Sequence, residues 1–151
     1  MIQKIGVIGA GQMGNGIAHV AALKGFDVKL YDTDAAQLDK AKATIEQNMS
    51  RQIKRGMIKE ADRDAALKRI TTGQDLKMFG DRDLVIEAAV EKEAIKKEIF
   101  KALCPVLKPE AMIATNTSSI SITRLAAATD RPAKFMGMHF MNPVPLMELV
   151  E

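Results

Sequence analysis

Cysteine and aromatic residues are scarce in this sequence of 151 residues. Cys104 is the only cysteine, which excludes an internal disulfide and a cysteine-based metal site and favours a reducing, cytoplasmic setting. Aromatic residues make up 4% of the chain and tryptophan is absent, which argues against sugar-binding grooves and base-stacking platforms. We therefore predict no metal site and no nucleic-acid partner.

Long apolar runs are also missing. The most apolar region, residues 5–23, is interrupted by five glycines and by Gln12, Asn15 and His19. It falls short of the ~20 apolar residues that cross a bilayer, and no signal-peptide cleavage pattern follows it. We expect neither a membrane span nor a membrane partner.

Charge is nearly balanced along the chain except in one segment. The sequence has 22 basic and 19 acidic residues, and residues 47–59 hold four basic side chains and no acidic one. This patch is too small to follow a nucleic-acid backbone but is suited to a few phosphates. A solvated helix face explains the same pattern equally well. The four side chains of this basic patch are Arg51, Lys54, Arg55 and Lys59.

Short apolar segments alternate with longer amphipathic ones, which indicates alternating strands and helices. Helices are predicted from the first glycine-rich turn to about Lys24, and at 34–56, 60–68 and 92–104. Strands are predicted at 4–8, 27–31, 69–72, 83–88, 112–115 and 134–139, with a seventh beginning near Met147. This order favours right-handed crossovers and an α/β fold with a doubly wound, mostly parallel sheet. We predict one domain, residues 1–151.

The connection between the second and third predicted strands is longer than an ordinary crossover. Its first helix places apolar residues in steps of three and four, which directs one side of the helix toward a core. Gly56 interrupts the pattern before a second helix begins. We therefore predict a helical hairpin, inserted after strand two, that carries the basic patch. The apolar stripe consists of Leu38, Ala41, Ile45, Met49 and Ile53.

A glycine-rich motif follows the first predicted strand and opens the first helix. Its residues are Gly9-Ala10-Gly11-Gln12-Met13-Gly14. In this context the motif indicates a Rossmann-type dinucleotide site, since the glycines permit a tight turn, close approach of the pyrophosphate, and close packing of helix on strand. The helix N-terminus offers free N–H groups and a positive dipole to the phosphates.

Asp32 ends the second predicted strand, 18 residues beyond Gly14. At this position a carboxylate accepts hydrogen bonds from the hydroxyls of the adenosine ribose. Thr33 and Asp34 offer no cation for a 2′-phosphate, so the sequence favours NAD over NADP as the cofactor. Asp32 also suits the N-cap of the next helix, and the two roles can coexist.

Polar residues occur where the later strands of the predicted sheet end. In an open parallel sheet, ligands bind beyond these C-terminal ends. His139 lies there, where a group that titrates near neutral pH suits a proton acceptor. The second histidine, His19, lies inside the first helix, where a structural role is expected. Ser118 has an alternative role as part of a helix-capping sequence. The three segments are 87–91, 116–119 and 139–142.

Three motifs can be considered together: Val7-Ile8-Gly9-Ala10-Gly11-Gln12-Met13-Gly14, Asn116-Thr117-Ser118-Ser119 and His139-Phe140-Met141-Asn142-Pro143-Val144-Pro145. In this combination the whole chain resembles the L-3-hydroxyacyl-CoA dehydrogenase family, most closely its compact bacterial members that act on 3-hydroxybutyryl-CoA. The hairpin after strand two is also a trait of that family. The resemblance implies NAD-dependent oxidation of a 3-hydroxyacyl-CoA, or the reverse reduction.

The resemblance also implies roles for individual residues. His139 matches the base that takes the proton of the 3-hydroxyl, Glu151 the carboxylate that orients this base, and Ser118 the hydroxyl that binds the substrate oxygen. Asn48 and Arg55, on the hairpin, match positions that contact coenzyme A, although Asn48 replaces a more usual hydroxyl. Positions that line the cofactor and the active site are matched by Glu91, Lys96, Asn116 and Asn142.

Members of that family carry a helical second domain that completes the substrate pocket, adds a catalytic asparagine and forms the dimer. This sequence stops where that domain would follow, so we expect a truncated member whose partners are acyl-CoA and further copies. A non-catalytic NAD-binding module, or half of an enzyme that needs a partner chain, remains an alternative. A β-hydroxyacid dehydrogenase with a lysine base shares the glycine motif, but His139 with Asn142-Pro143 argues against it.

Overall fold

Six strands form one sheet, and every pair of neighbouring strands is parallel in the computed structural model, which describes residues 1–151. The strand order is β3-β2-β1-β4-β5-β6, so the winding direction reverses between β1 and β4. This reversal creates the crevice in which dinucleotides bind in doubly wound sheets. The strands are β1 Lys4–Ile8, β2 Asp27–Tyr31, β3 Ile70–Gly73, β4 Leu84–Glu87, β5 Met112–Thr115 and β6 Phe135–Gly137.

Five helices connect the strands, together with two short 3₁₀ turns at Leu76–Phe79 and Pro132–Lys134. None of the helices combines the length and apolar character needed to span a membrane. The helices are α1 Gln12–Leu23, α2 Ala35–Lys54, α3 Glu60–Lys68, α4 Glu93–Leu103 and α5 Ile122–Ala127.

Each face of the sheet is covered by a separate hydrophobic core. Alternate residues of β1 point to opposite faces, so Val7 belongs to one core and Ile8 to the other. Ile17 of α1 and Ile45 of α2 complete the first core, whereas Phe100 of α4 contributes to the second. The predicted α/β class with a Rossmann-type, doubly wound sheet is therefore confirmed, and the sheet is parallel throughout.

The hairpin after β2 is confirmed as α2 and α3, with a small correction to the predicted apolar stripe. The first four residues of the stripe are buried, but Ile53 is only half-buried. Gln52 is buried in its place and its Oε1 lies 2.8 Å from His19 Nε2. The two polar side chains therefore join α1 to α2 across the core.

Capping explains where α2 begins. Asp34 is its N-cap and accepts a hydrogen bond from the N–H of Ala36 at 2.9 Å. The alternative role of Asp32 as the cap is therefore wrong. The Asp32 carboxylate instead accepts a 2.9 Å bond from the N–H of Asp34, which leaves Asp32 at the edge of the sheet.

The predicted seventh strand near Met147 does not form. The N–H groups of Leu146 and Met147 both donate to the carbonyl of Pro143, at 3.0 and 3.1 Å, so the chain turns back on itself. A single antiparallel bridge then pairs Phe140 with Val150. Strand six is shorter than predicted at both ends: the 3₁₀ turn that Pro132 opens includes Lys134, and the strand itself ends at Gly137.

Candidate active site

The glycine-rich loop between β1 and α1 has the geometry that the motif predicts. Gly9 has a φ of +100°, a conformation that L side chains rarely adopt. A Cβ added to Gly14 would lie 1.6 Å from the Gly9 carbonyl oxygen, so only glycine allows the helix to start this close to the strand. A Cβ added to Gly11 would meet nothing within 4 Å. The space beside Gly11 is therefore open to a ligand.

The N-terminus of α1 is free to bind an anion. Gly11 is the N-cap, no side chain caps the helix, and the first turn contains no acidic residue. The first N–H groups of the helix thus have no internal acceptor, and the helix dipole adds positive potential. A phosphate group fits this environment.

Asp32 lies at the edge of the same loop. Its Oδ2 accepts a 2.9 Å hydrogen bond from the N–H of Ala10, which ties the carboxylate to the glycine motif. Thr33 and Asp34 beside it are exposed and add no positive charge. Each carboxylate oxygen can accept a further bond, so ribose hydroxyls can still be bound.

A cleft of about 510 Å³ runs along this loop at the C-terminal edge of the sheet. It spans the reversal between β1 and β4, where the topology predicts a dinucleotide. The residues fit NAD, since one end has a carboxylate for ribose and the middle has an uncapped helix N-terminus. Its lining includes Gly9, Gly11, Met13, Asp32, Ala88 and Val90.

A second cavity, of about 230 Å³, lies at the other end of the loop. Met13 lines both cavities, so the two are neighbours. The structure brings together here most of the site residues that follow β4, β5 and β6. They are Glu91, Asn116, Ser118, His139 and Asn142, with Phe140 and Met141 beside them.

Hydrogen bonds between the surrounding loops fix the walls of this second cavity. Asn116 Oδ1 accepts the N–H of Phe140 at 2.9 Å, which holds the segment containing His139 against the end of β5. Gln12 donates its side-chain amide to Asn142 Oδ1 at 3.1 Å and so links the glycine motif to the same segment. Thr117 donates its hydroxyl to the carboxylate of Glu91. Ser118 lies exposed in the loop that Thr117 anchors.

His139 and Glu151 face each other across the antiparallel pairing. The N–H of His139 donates to the Glu151 carbonyl at 2.7 Å, and the N–H of Glu151 donates back at 2.9 Å. Their side chains are 3.6 Å apart, from Nδ1 to Oε2, which is an ion-pair distance longer than a hydrogen bond. The Glu151 carboxylate therefore lies beside Nδ1, the imidazole nitrogen through which it would orient His139.

Lys96 does not line either cavity. Its side chain is fully buried behind them, and its ammonium donates to both oxygens of the equally buried Glu87, at 2.9 and 2.8 Å. The charge of Lys96 is thus paired with an acid inside the protein, and its role toward the cofactor stays a prediction. The nearest site residue is Glu91, 3.9 Å away.

The two candidate coenzyme A residues lie on the hairpin, away from both cavities. Asn48 is half-buried on α2 and its Oδ1 accepts a 3.4 Å bond from Arg51. Arg55 is exposed and caps the C-terminus of α2. All four side chains of the basic patch are exposed, so the hairpin presents a cationic surface.

Two buried polar pairs were not found from the sequence. His19 is completely buried beside Gln52, and its Nδ1 has no hydrogen-bond partner. Burial lowers the pKa of His19 below its ordinary value. The second pair is Glu87 and Lys96. The sequence holds a signal for this pair, since Glu87 ends an apolar strand and Lys96 shares a helix face with Phe100 and Leu103.

The sequence matches the family model described as 3-hydroxyacyl-CoA dehydrogenase, NAD binding domain, over residues 4–151. It is 62% identical to a 3-hydroxybutyryl-CoA dehydrogenase of Bradyrhizobium diazoefficiens, over 100% of this chain and 52% of that protein. A 3-hydroxybutyryl-CoA dehydrogenase of Mycobacterium tuberculosis is 46% identical, over 99% of this chain and 53% of that protein. The chain spans about half the length of these relatives.

Solved structures agree with the sequence matches. The crystal structure of (S)-3-hydroxybutyryl-CoA dehydrogenase from Ralstonia eutropha superposes with a TM-score of 0.97 at 44% identity, covering 99% of this chain and 53% of that one. The crystal structure of FadB2 from M. tuberculosis gives a TM-score of 0.95 at 46% identity, with the same coverage. By the extent of the family match and by the shared fold, the chain belongs to the family of 3-hydroxyacyl-CoA dehydrogenase NAD-binding domains.

Proposed function

We propose that this chain is the cofactor-binding half of an NAD-dependent oxidoreductase that interconverts a 3-hydroxyacyl-CoA and a 3-ketoacyl-CoA. The relatives named above favour 3-hydroxybutyryl-CoA as the substrate. The observation that carries the proposal is the second cavity, where His139, Ser118 and Asn142 meet beside the glycine motif. A proton acceptor and two polar groups lie next to a dinucleotide cleft, which is the arrangement that alcohol oxidation needs.

Different residues of the cleft would bind different parts of NAD. The motif Gly9-Ala10-Gly11-Gln12-Met13-Gly14 holds the pyrophosphate through the backbone and the helix N-terminus. Asp32 binds the adenosine ribose at one end. Glu91 and Asn116, which line the second cavity, would hold the nicotinamide end of the cofactor.

His139 acts as the base. A secondary alcohol is a very weak acid, so its proton must be accepted as the hydride leaves C3. When bound, NAD accepts that hydride. Glu151 faces His139 Nδ1, which leaves Nε2 for the substrate and stabilises the imidazolium that forms.

Ser118 and Asn142 bind the substrate oxygen. Both are exposed in the same cavity as His139, so their polar groups can reach a ligand there. Hydrogen bonds at this point stabilise the charge that develops on the oxygen in the transition state. Phosphates of coenzyme A are bound on the hairpin by Asn48 and by the basic patch, which includes Arg55.

Self-association is also proposed. Leu146, Met147, Leu149 and Val150 are large apolar side chains that are exposed together near the end of the chain. Such a patch favours contact with a further copy or with a covering segment. Sedimentation velocity of the chain would show this as a mass above one protomer.

The buried free thiol of Cys104 fits the proposed cytoplasmic location.

A chimera tests the proposed activity. The corresponding half of the B. diazoefficiens relative is replaced by this chain, and NADH oxidation is measured with acetoacetyl-CoA. We expect turnover that depends on both substrates, and a loss of about 1,000-fold in kcat in the His139→Ala variant, in keeping with the 10²–10⁴-fold that general bases contribute. His19→Gln, the other histidine, serves as the control and should retain activity.

Three outcomes of this test are informative. Turnover in the chimera that survives His139→Ala would contradict the role of His139. Binding of NADH without turnover in the chimera would favour a non-catalytic NAD-binding module. Turnover by the chimera but not by the isolated chain would show that the chain needs the remaining half of the enzyme.

A further inference from the structure

The side chains of Gln12 and Asn142 meet between the two cavities. Gln12 is the first residue of α1 and lines the cofactor cleft. Asn142 follows β6 and lines the second cavity. Gln12 Nε2 donates to Asn142 Oδ1 at 3.1 Å, and this is the only hydrogen bond that the Asn142 side chain makes. An amide of the glycine motif therefore holds an amide of the candidate substrate site.

The backbone on either side of Asn142 is fixed by other contacts. The N–H of Phe140 donates to Asn116 Oδ1 at 2.9 Å. Val144 is buried, and its Cβ would lie 2.8 Å from a Cβ placed on Gly16, so this segment packs directly on α1. The Asn142 side chain is exposed, by contrast, and its amide can rotate unless a partner holds it. The orientation of this amide thus depends on the one hydrogen bond that it makes.

The orientation of the Asn142 amide decides what the second cavity offers to a ligand. A carboxamide has an acceptor, its oxygen, and a nitrogen with two donors. Since Asn142 Oδ1 is bound by Gln12, Nδ2 remains for the cavity. Negative charge develops on the substrate oxygen in the transition state, and a donor stabilises this charge whereas an acceptor repels it. The orientation that Gln12 selects is the productive one.

We propose that Gln12 is a positioning residue for the reaction, which orients the Asn142 amide so that Nδ2 donates to the substrate oxygen. The inference rests on the proposed function, because it takes Asn142 to bind that oxygen. Gln12 itself contacts no reacting atom. The glycine motif does not require a glutamine at this position, since backbone groups bind the pyrophosphate. The side chain is therefore free to serve the second cavity.

Two substitutions of Gln12 in the chimera described above test the inference. Gln12→Met has about the same length but no donor, so it releases the Asn142 amide. We expect its kcat, at saturating NADH and acetoacetyl-CoA, to fall about tenfold, the effect of one hydrogen bond. Gln12→Glu has only acceptors and binds Asn142 Nδ2, which turns Oδ1 toward the substrate. We expect a larger fall in this variant, of about 100-fold.

A loss of kcat alone separates positioning from a structural role. Gln12 is exposed, so Gln12→Met should keep the Tm of the parent protein. Its Kd for NADH should also stay unchanged, because the backbone of the motif binds the cofactor. A substitution that disturbed the glycine loop would raise this Kd, and that result would overturn the inference.

A double-mutant cycle shows whether Gln12 acts through Asn142. In an Asn142→Ala background there is no amide to orient, so Gln12→Met should not lower kcat further. An equal loss in both backgrounds would overturn the inference, since Gln12 would then act independently. If Asn142→Ala is too slow for the cycle, the two substitutions of Gln12 decide the question: equal kcat values in Gln12→Met and Gln12→Glu would overturn it.

Gln74→Met is the matched control. Gln74 is also a glutamine at the C-terminal edge of the sheet, and its Nε2 donates one hydrogen bond, at 3.0 Å, to the carbonyl of Thr33. Its replacement removes a comparable bond away from Asn142 and should leave kcat unchanged.

Failure of the inference can be separated from failure of the proposed function. A folded wild-type chimera that does not turn over acetoacetyl-CoA would overturn the proposed function. An active wild-type chimera whose Gln12→Met variant has the same kcat would overturn the positioning role alone.

Discussion

At the scale of single residues, two glycines of the same loop have opposite surroundings. Gly14 is pressed against the backbone of Gly9, whereas nothing lies within 4 Å of a Cβ placed on Gly11. The motif predicts that Gly11 allows the approach of the pyrophosphate and that Gly14 allows close packing of the helix on the strand, and the surroundings of the two glycines agree with this. The distances separate the two roles.

Substituting Gly11 should therefore affect binding without affecting the fold. We expect Gly11→Ala to keep the Tm of the wild-type chain and to raise the Kd for NADH by about tenfold or more, since the methyl group occupies the space of the pyrophosphate. Gly14→Ala should instead fail to fold stably. Thermal unfolding and calorimetric titration measure the two effects. A Gly11→Ala variant with wild-type affinity would place the phosphates elsewhere.

Asp32 is expected to select the cofactor. With Asp34 beside it, a 2′-phosphate would meet two carboxylates, so NADH should bind more tightly than NADPH. Asp32→Ala removes both the ribose acceptor and the repulsion, and should narrow the difference between the two Kd values. Titrations with both cofactors at one ionic strength test this. Equal affinities in the wild-type chain would argue against the role of Asp32.

Most of the site could be predicted from residue types at strand ends, because a parallel sheet brings those ends to one edge. His139, Ser118, Asn116 and Asn142 do share a cavity. The location of Lys96 could not be predicted in this way, since its surroundings depend on how α4 packs on β4. Long-range side-chain pairing is set by tertiary packing, which a local pattern does not contain.

At the scale of whole elements, helices α1 and α2 are joined by the buried pair of His19 and Gln52. Burial lowers the pKa of His19 from its ordinary value of 6.5, so the folded protein holds the neutral form. The resulting stability is present above pH 6.5 and is lost as the pH falls through the folded pKa. Each unit by which the pKa is lowered is worth about 1.4 kcal/mol.

His19→Gln should remove this pH dependence. Between about pH 7 and pH 5, Tm should fall more for the wild-type chain than for the variant, because only the wild-type chain must protonate a buried imidazole on unfolding. The pKa of Asp81 is also lowered, from 3.8, and this carboxylate titrates in the unfolded chain well below that window. Parallel Tm curves for the two proteins would contradict the prediction.

The basic hairpin gives a prediction for acyl-CoA. Reversing two charges of the patch, in Arg51→Glu/Arg55→Glu, should weaken binding of acetoacetyl-CoA by about tenfold and reduce its dependence on ionic strength. Binding of NADH should be unchanged. Lys40→Glu/Lys42→Glu changes the net charge equally on the same helix, outside the patch, and is the control. Equal effects of both variants on the binding of acetoacetyl-CoA would show that the patch is an ordinary solvated helix face.

Element order could be predicted well, and errors fell where proline changes the backbone. Periodicity placed α2 correctly because one face of this helix is apolar and buried. The segment after β6 was predicted to lead to a seventh strand, but the turn that follows Pro143 reverses the chain. Apolar content alone does not distinguish a turn of this kind from a buried strand.

At the scale of the whole molecule, the two sides of the sheet reversal carry different groups of candidate site residues. The adenosine side holds Asp32 and the glycine motif, and the other side holds His139, Ser118 and Asn142. Both sides are present in this chain, which spans about half the length of its relatives. Cofactor binding should therefore be a property of this chain.

Calorimetric titration of this chain with NADH tests the central claim most directly. We predict one NADH bound per chain, with an affinity in the micromolar range that is weakened by about tenfold or more in Gly11→Ala. A folded wild-type chain, shown by a cooperative thermal transition, that takes up no NADH would contradict the assignment of the cleft as a dinucleotide site.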